Sequence, residues 1–135
     1  MDEWVAEAPW PVGEREKDGG SRPGGMDAAY ISQSGIVCFE WETGNISSSH
    51  RSLNKMCLGL LKRAIKAGIL VVPSRELYPY LTDRIGNIAE LEPYFDLWRS
   101  TSCEEGVLDI IVIEHDAIST KVPKIPKGTD GRAKG

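Results

Sequence analysis

Two carboxylates, Glu40 and Glu42, stand in the run Cys38-Phe39-Glu40-Trp41-Glu42-Thr43-Gly44, which leads into Asn45-Ile46-Ser47-Ser48-Ser49-His50-Arg51. On an extended chain the side-chain period is two, so Glu40 and Glu42 point to one face while Phe39 and Trp41 point to the other. The spacing predicts a strand with an apolar core face and a small acidic edge. Two carboxylates held that close repel each other, and a hard divalent cation lodged between them and another oxygen relieves the repulsion. The first chemistry implied is a magnesium-type site. The same Glu-x-Glu pattern also describes the wet side of an amphipathic strand. Asp27, at the junction after Gly24-Gly25, supplies a third carboxylate, or else an ordinary turn residue.

The elements that must position these groups belong to a chain of 135 residues, enough for one domain with a single modest core. Hydrophobic residues at 41% and charged residues at 27% are those of an ordinary soluble protein. No stretch reaches the apolar length of a membrane span, and the opening MDEWVAEAPWPVGEREKDGG lacks the basic start and apolar run of a secretory signal. Cys38, Cys57 and Cys103 are odd in number and match no metal or redox spacing, which predicts reduced thiols in a cytoplasmic protein. The net charge of -4 argues against indiscriminate nucleic-acid binding, yet the positive charge is clustered. Arg51, Lys55, Lys62, Arg63 and Lys66 occupy a stretch without Asp or Glu, and Lys121, Lys124, Lys127, Arg132 and Lys134 collect near the end. Two basic patches around an acidic centre can hold a polyanion if a metal offsets that centre.

Composition divides the chain into a largely irregular segment at 1–25, a core at 26–118 and a basic flexible tail at 119–135. A helical end is expected near Trp4 to Ala8, before Pro9. Gly35 to Glu42 reads as a strand closed by Gly44, with Ser47, Ser48 and Ser49 available to cap the next helix. Leu53, Cys57, Leu60, Leu61, Ala64 and Ile65 then recur at helical spacing, with the basic residues elsewhere on the wheel and Gly68 as the stop. Gly68 to Pro73 is a buried strand, so strand, helix and strand form a parallel crossover. Ser74 to Tyr80 should form a short helix disturbed by Pro79. Asn87 to Trp98 reads as a helix with Pro93 inside it, and Gly106 to Glu114 as a third strong strand.

Asp27, Glu40 and Glu42 resemble the catalytic centre of the PD-(D/E)xK nucleases, in the variant with Glu in place of the usual Lys. The strings around them are more specific. FEWETGNISSSHRSLNKMCLGL from Phe39 to Leu60, LTDRIGNIAELEPYFDL from Leu81 to Leu97 and VPKIPKGTDG from Val122 to Gly131 are similar, in the same order, to the BamHI-type restriction endonucleases. The resemblance covers Trp4 to Gly131. It implies an α/β restriction-endonuclease-like three-layer fold, a central mixed sheet flanked by helices, in a version shortened at both ends. It also implies Mg-dependent, site-specific hydrolysis of double-stranded DNA. The metal-binding aspartate falls on Asp27, the first strand carboxylate on Glu40, and the general base on Glu42. Glu7, within Glu3 to Pro9, matches an additional acidic residue of the centre. Mg held by Asp27, Glu40 and the backbone carbonyl of Trp41 would help to make a water nucleophilic and neutralise the departing oxygen.

The base-reading residues fall on Asn45, Ser47 and Arg51, with Asp83 and Arg84 as a second pair. Arg suits the guanine O6 and N7 acceptors, Asn the adenine edge, and Asp the cytosine amino group. The resemblance implies GGATCC or a close relative. Read without it, Asn45 and Ser47 are helix caps, Arg51 a solvated charge, and Asp83-Arg84 a surface ion pair worth little. Gly128, Asp130 and Gly131 match a segment that contacts the minor groove. A palindromic target asks for a two-fold homodimer, with Lys62 and Asp96 placed to pair across it. The departure from the family pattern is length. The alternative expectation is therefore a non-cleaving DNA-binding or protein-interaction remnant that keeps the three carboxylates.

Overall fold

A computed structural model describes residues 2–10, 23–42, 44–81, 85–124 and 126. The described residues form a five-stranded mixed sheet in the order β1 (Glu3–Ala8), β2 (Met26–Ser32), β3 (Gly35–Trp41), β4 (Ala67–Pro73) and β5 (Val107–Ile113). Strands β1, β2 and β3 pair antiparallel, and β3, β4 and β5 pair parallel. Parallel neighbours need a crossover. Helix α1 (Ile46–Leu61) joins β3 to β4, and the short helices α2 (Ile88–Leu91) and α3 (Phe95–Arg99) lie between β4 and β5. This is the expected α/β class with a mixed sheet. Among the described residues no helix is long and apolar enough to cross a membrane.

Apolar residues on α1 and β4 make the centre of the core. Leu53 and Met56 from the helix meet Leu70 and Val72 from the strand, all four fully buried, at about 1.5–3 kcal/mol for each side chain removed from water. Asn45 starts α1: its backbone is extended and its side-chain oxygen accepts the Ser48 amide at 3.3 Å. Of the capping residues the sequence offers, Asn45 is the one that caps, and Ser47, Ser48 and Ser49 lie within the helix. An Asn45→Ala change should cost about 1 kcal/mol of stability, readable as a lower urea midpoint. The helix ends at Leu61, well before Gly68. Arg63 takes a left-handed φ of 55°, and the Ala64 amide turns back to the Gly59 carbonyl at 2.9 Å. That turn drops Ile65 into the core, where it and Trp10 close on Gly59.

Three further expectations are revised. Trp4 to Ala8 belongs to strand β1, not to a helix, because Trp4 and Val5 suit a pleated surface and find partners in Tyr30 and Ala29 across the ladder. The Trp4 and Tyr30 rings lie 5.2 Å apart. Asn87 to Trp98 is not one helix: Pro93 lacks an amide donor, and Glu92–Tyr94 tightens into a 3-10 turn between α2 and α3. Ser74 to Tyr80 forms a turn, held by the Ser74 hydroxyl accepting the Leu77 amide at 3.0 Å, and a single 3-10 turn at Tyr78–Tyr80.

The faces of β3 are the reverse of those expected. Cys38 is fully buried and Glu40 only 5% exposed, whereas Trp41, on the opposite face, is 43% exposed. The acidic face is the one that α1 covers. A period of two sorts residues between faces but carries no label for the side the helix will occupy.

Candidate active site

The antiparallel pairing of β1, β2 and β3 brings the early acidic residues together. Across β2 and β3 the register pairs Ala28 with Phe39, which sets Asp27 beside the Glu40-Trp41 peptide. Two hydrogen bonds link them reciprocally. The Asp27 amide donates to Glu40 Oε2 at 3.3 Å, and the Trp41 amide donates to Asp27 Oδ2 at 2.6 Å. Across β1 and β2, Ala6 pairs with Ala28 and Ala8 with Met26, which leaves Glu7 opposite Asp27. Glu7 is exposed and adopts φ 50°, a conformation unusual for a residue with a side chain and found most often where a local arrangement enforces it.

Glu42 leaves the strand and is held by the start of the helix. Its Oε1 accepts the Gly44 amide at 3.0 Å and its Oε2 accepts the Ser52 hydroxyl at 3.1 Å. Gly44 has to be glycine for this: a Cβ there would lie 2.9 Å from Glu42 Oε1. The carboxylate is therefore fixed in place by donors from both the turn and α1. Among the described residues no three His, Cys, Asp or Glu side chains converge as a metal cluster. Asp27 and Glu40 form one acidic pair, and Glu42 is set apart at the helix start.

Glu40 is the buried member. Its Oε1 is ion-paired with Lys55, which reaches across from α1. Burial raises its carboxyl above the usual range; the Lys55 hydrogen bond and charge oppose the rise, the Asp27 charge adds to it, and the Asp27 amide opposes it. Burial likewise pushes the neighbouring Cys38 thiol up to about 11, with the Glu40 charge adding to the effect and Lys55 opposing it. Lys55 and Ser52 were not singled out in the sequence. Their signal is a polar stripe, Ser48, Ser52 and Lys55 at helical spacing, on the side of α1 that meets the two glutamates.

The donor set suits a hard cation. The Glu40 carboxylate, the neighbouring Asp27 and the Trp41 carbonyl are all oxygen ligands of the kind magnesium takes. A cavity of about 500 Å³ lies elsewhere, bordered by Leu53, Cys57, Phe95, Trp98, Leu108 and Ile110, and none of the candidate site residues lines it. The acidic pair lies on the interior strands β2 and β3, and it meets solvent through Asp27 and Trp41, which are exposed beside the buried Glu40.

Just after β3, the start of α1 presents Asn45, Ser47 and Arg51 to solvent, the last two four residues apart on one helix face. Arg51 donates to the Ser48 hydroxyl at 3.3 Å. Asp83 and Arg84 lie outside the described residues. Gly86, two positions on, donates its amide to the Gly44 carbonyl at 3.2 Å, and a Cβ there would meet Ile46 Cα at 3.0 Å. This close approach ties Gly86 to the start of α1. Gly128, Asp130 and Gly131 also fall outside the described residues. Lys62 caps the end of α1, and Asp96 on α3 is exposed beside Arg99, at 3.8 Å.

The family model of restriction endonuclease BamHI matches residues 1–132. The chain belongs to the BamHI restriction endonuclease family. It is 54% identical over 112 residues to the type II restriction enzyme OkrAI of Oceanobacter kriegii, covering 83% of this chain and 58% of that enzyme. It is 42% identical over 134 residues to the type II restriction enzyme BamHI of Bacillus amyloliquefaciens, covering 97% of this chain and 60% of that enzyme. The chain thus spans about three-fifths of the length of these relatives of the BamHI family.

Proposed function

We propose that the chain is a type II site-specific deoxyribonuclease that hydrolyses double-stranded DNA with Mg as cofactor, as a cytoplasmic homodimer at GGATCC or a close relative. The observation that carries this reading is the reciprocal hydrogen bonding of Asp27 with Glu40 and Trp41, at the end of β3 that leads into the exposed first turn of α1. The family assignment and two relatives named as type II restriction enzymes support it.

Asp27, Glu40 and the Trp41 carbonyl are the residues to hold Mg, with Glu7 opposite Asp27 as a further acid. When bound, the ion supplies charge neutralisation at the phosphate and a more acidic water. Glu42 is the general base. Its carboxylate is aimed by the Gly44 amide and the Ser52 hydroxyl, so a water reaching it meets an oriented acceptor rather than a free rotor. Asn45, Ser47 and Arg51 read the major groove from the helix start, joined by Asp83 and Arg84; Gly128, Asp130 and Gly131 contact the minor groove. In a two-fold dimer Lys62 and Asp96, both exposed, pair across the interface.

A second reading, a DNA-binding or interaction remnant that does not cut, is favoured by one observation: among the described residues the acids do not converge as a three-residue cluster. Retention of duplexes in Ca tests the recognition common to the enzyme and the DNA-binding remnant. A GGATCC duplex should be retained in preference to single-base variants. Arg51→Ala should lose about 1–3 kcal/mol of that preference at a guanine position. Equal retention of every duplex by the wild-type protein would remove site recognition from the account.

A further inference from the structure

Lys55 has no role in the reading above, yet its side chain enters the centre of the acidic site. It is 14% exposed, its ammonium pairs with Glu40 Oε1, and it donates to the Gly25 carbonyl at 2.7 Å. Glu40 Oε2 is already engaged by the Asp27 amide, and Asp27 Oδ2 by the Trp41 amide. The ammonium therefore sits on Oε1, the oxygen of Glu40 that the Asp27 amide leaves free. A carboxylate buried under a helix requires a positive partner, and α1 supplies one from within the chain.

We propose that Lys55 is a built-in counter-ion of the acidic site, holding Glu40 in the metal-free protein and competing with the divalent cation that replaces it. The proposal rests on the reading of Asp27 and Glu40 as a cation site. Two positive ions cannot share Glu40 Oε1 without strong repulsion at that separation, so loading requires the ammonium to move. A lysine suits this role because its charge sits on a flexible four-carbon stem, which can swing away from Glu40 while α1 stays in place.

The test uses calcium as the probe, so that binding is read without turnover. Calorimetric titration of the full chain should show Lys55→Met binding Ca about tenfold more tightly than wild type, because one competing charge is gone. Its Tm should fall in EDTA, and the rise in Tm on adding Ca should exceed that of wild type. A merely structural lysine predicts the same fall in Tm with and without Ca and unchanged affinity, which overturns the proposal. If Lys55→Met fails to fold, wild-type protein decides the matter by amine acetylation read by peptide mass. Lys55 should be protected in EDTA and several-fold more reactive in Ca, and equal reactivity overturns the proposal. Absence of Ca binding by both folded proteins removes the cation site itself, an outcome distinct from equal binding by both.

Discussion

Replacing Glu42 by alanine should slow cleavage of a GGATCC duplex by about 10²–10⁴-fold, the usual worth of a positioned general base. The same protein should retain the duplex in Ca and bind Ca much as wild type does. Glu42 does not share the Asp27–Glu40 hydrogen bonds; its carboxylate is held by Gly44 and Ser52 at the start of α1. Its removal deletes an acceptor while leaving the other acids in place. Losing the part-buried Ser52 bond costs about 1 kcal/mol of stability, too little to unfold a domain. A Glu42→Ala protein that cuts at the wild-type rate would place the base elsewhere, and one that loses Ca binding would make Glu42 a ligand.

Glu40→Gln should do more damage to function and yet stabilise the metal-free fold. Loss of a ligand oxygen should weaken Ca binding by more than about 100-fold, since even groups behind the ligands are commonly worth about 10–100-fold. Stability moves the other way. Burial raises the Glu40 carboxyl despite Lys55, so the folded state binds that proton more tightly than the unfolded state. Stability contributed by this group then falls as pH rises from the ordinary carboxylate range through the raised value, and the penalty is complete above it. Glutamine is neutral at every pH and avoids the penalty. In EDTA the Tm of Glu40→Gln should match wild type in acid and exceed it by a growing margin as pH increases. A wild-type protein that is the more stable at neutral pH would show that the Lys55 pair outweighs burial.

These two residues also show what could be read from the chain before its fold was known. Glu40, Glu42, Gly44 and Asn45 were legible because a strand, a break and a cap each leave a local mark. Which side of β3 would be covered was not. Phe39 and Trp41 are the more apolar pair, but α1 lies over Cys38 and Glu40, a choice made by the pairing of Leu53 and Met56 with Leu70 and Val72. Lys55 was passed over for the same reason. A lysine among other basic residues reads as a solvated charge until the helix is docked, and only then does its ammonium meet Glu40. Strand β1 was missed because its partner, β2, is distant in sequence and supplies the pairing that Trp4 to Ala8 cannot express alone.

The central claim is that Asp27, Glu40 and Glu42 cut DNA at a defined site. The most direct measurement incubates the purified chain with a duplex containing one GGATCC, in Mg and separately in Ca, and sequences the product ends. The account predicts symmetric cuts at that site in Mg, none in Ca, and none from Glu42→Ala in either. Retention of the duplex in Mg without any break, by protein shown to be folded, contradicts it.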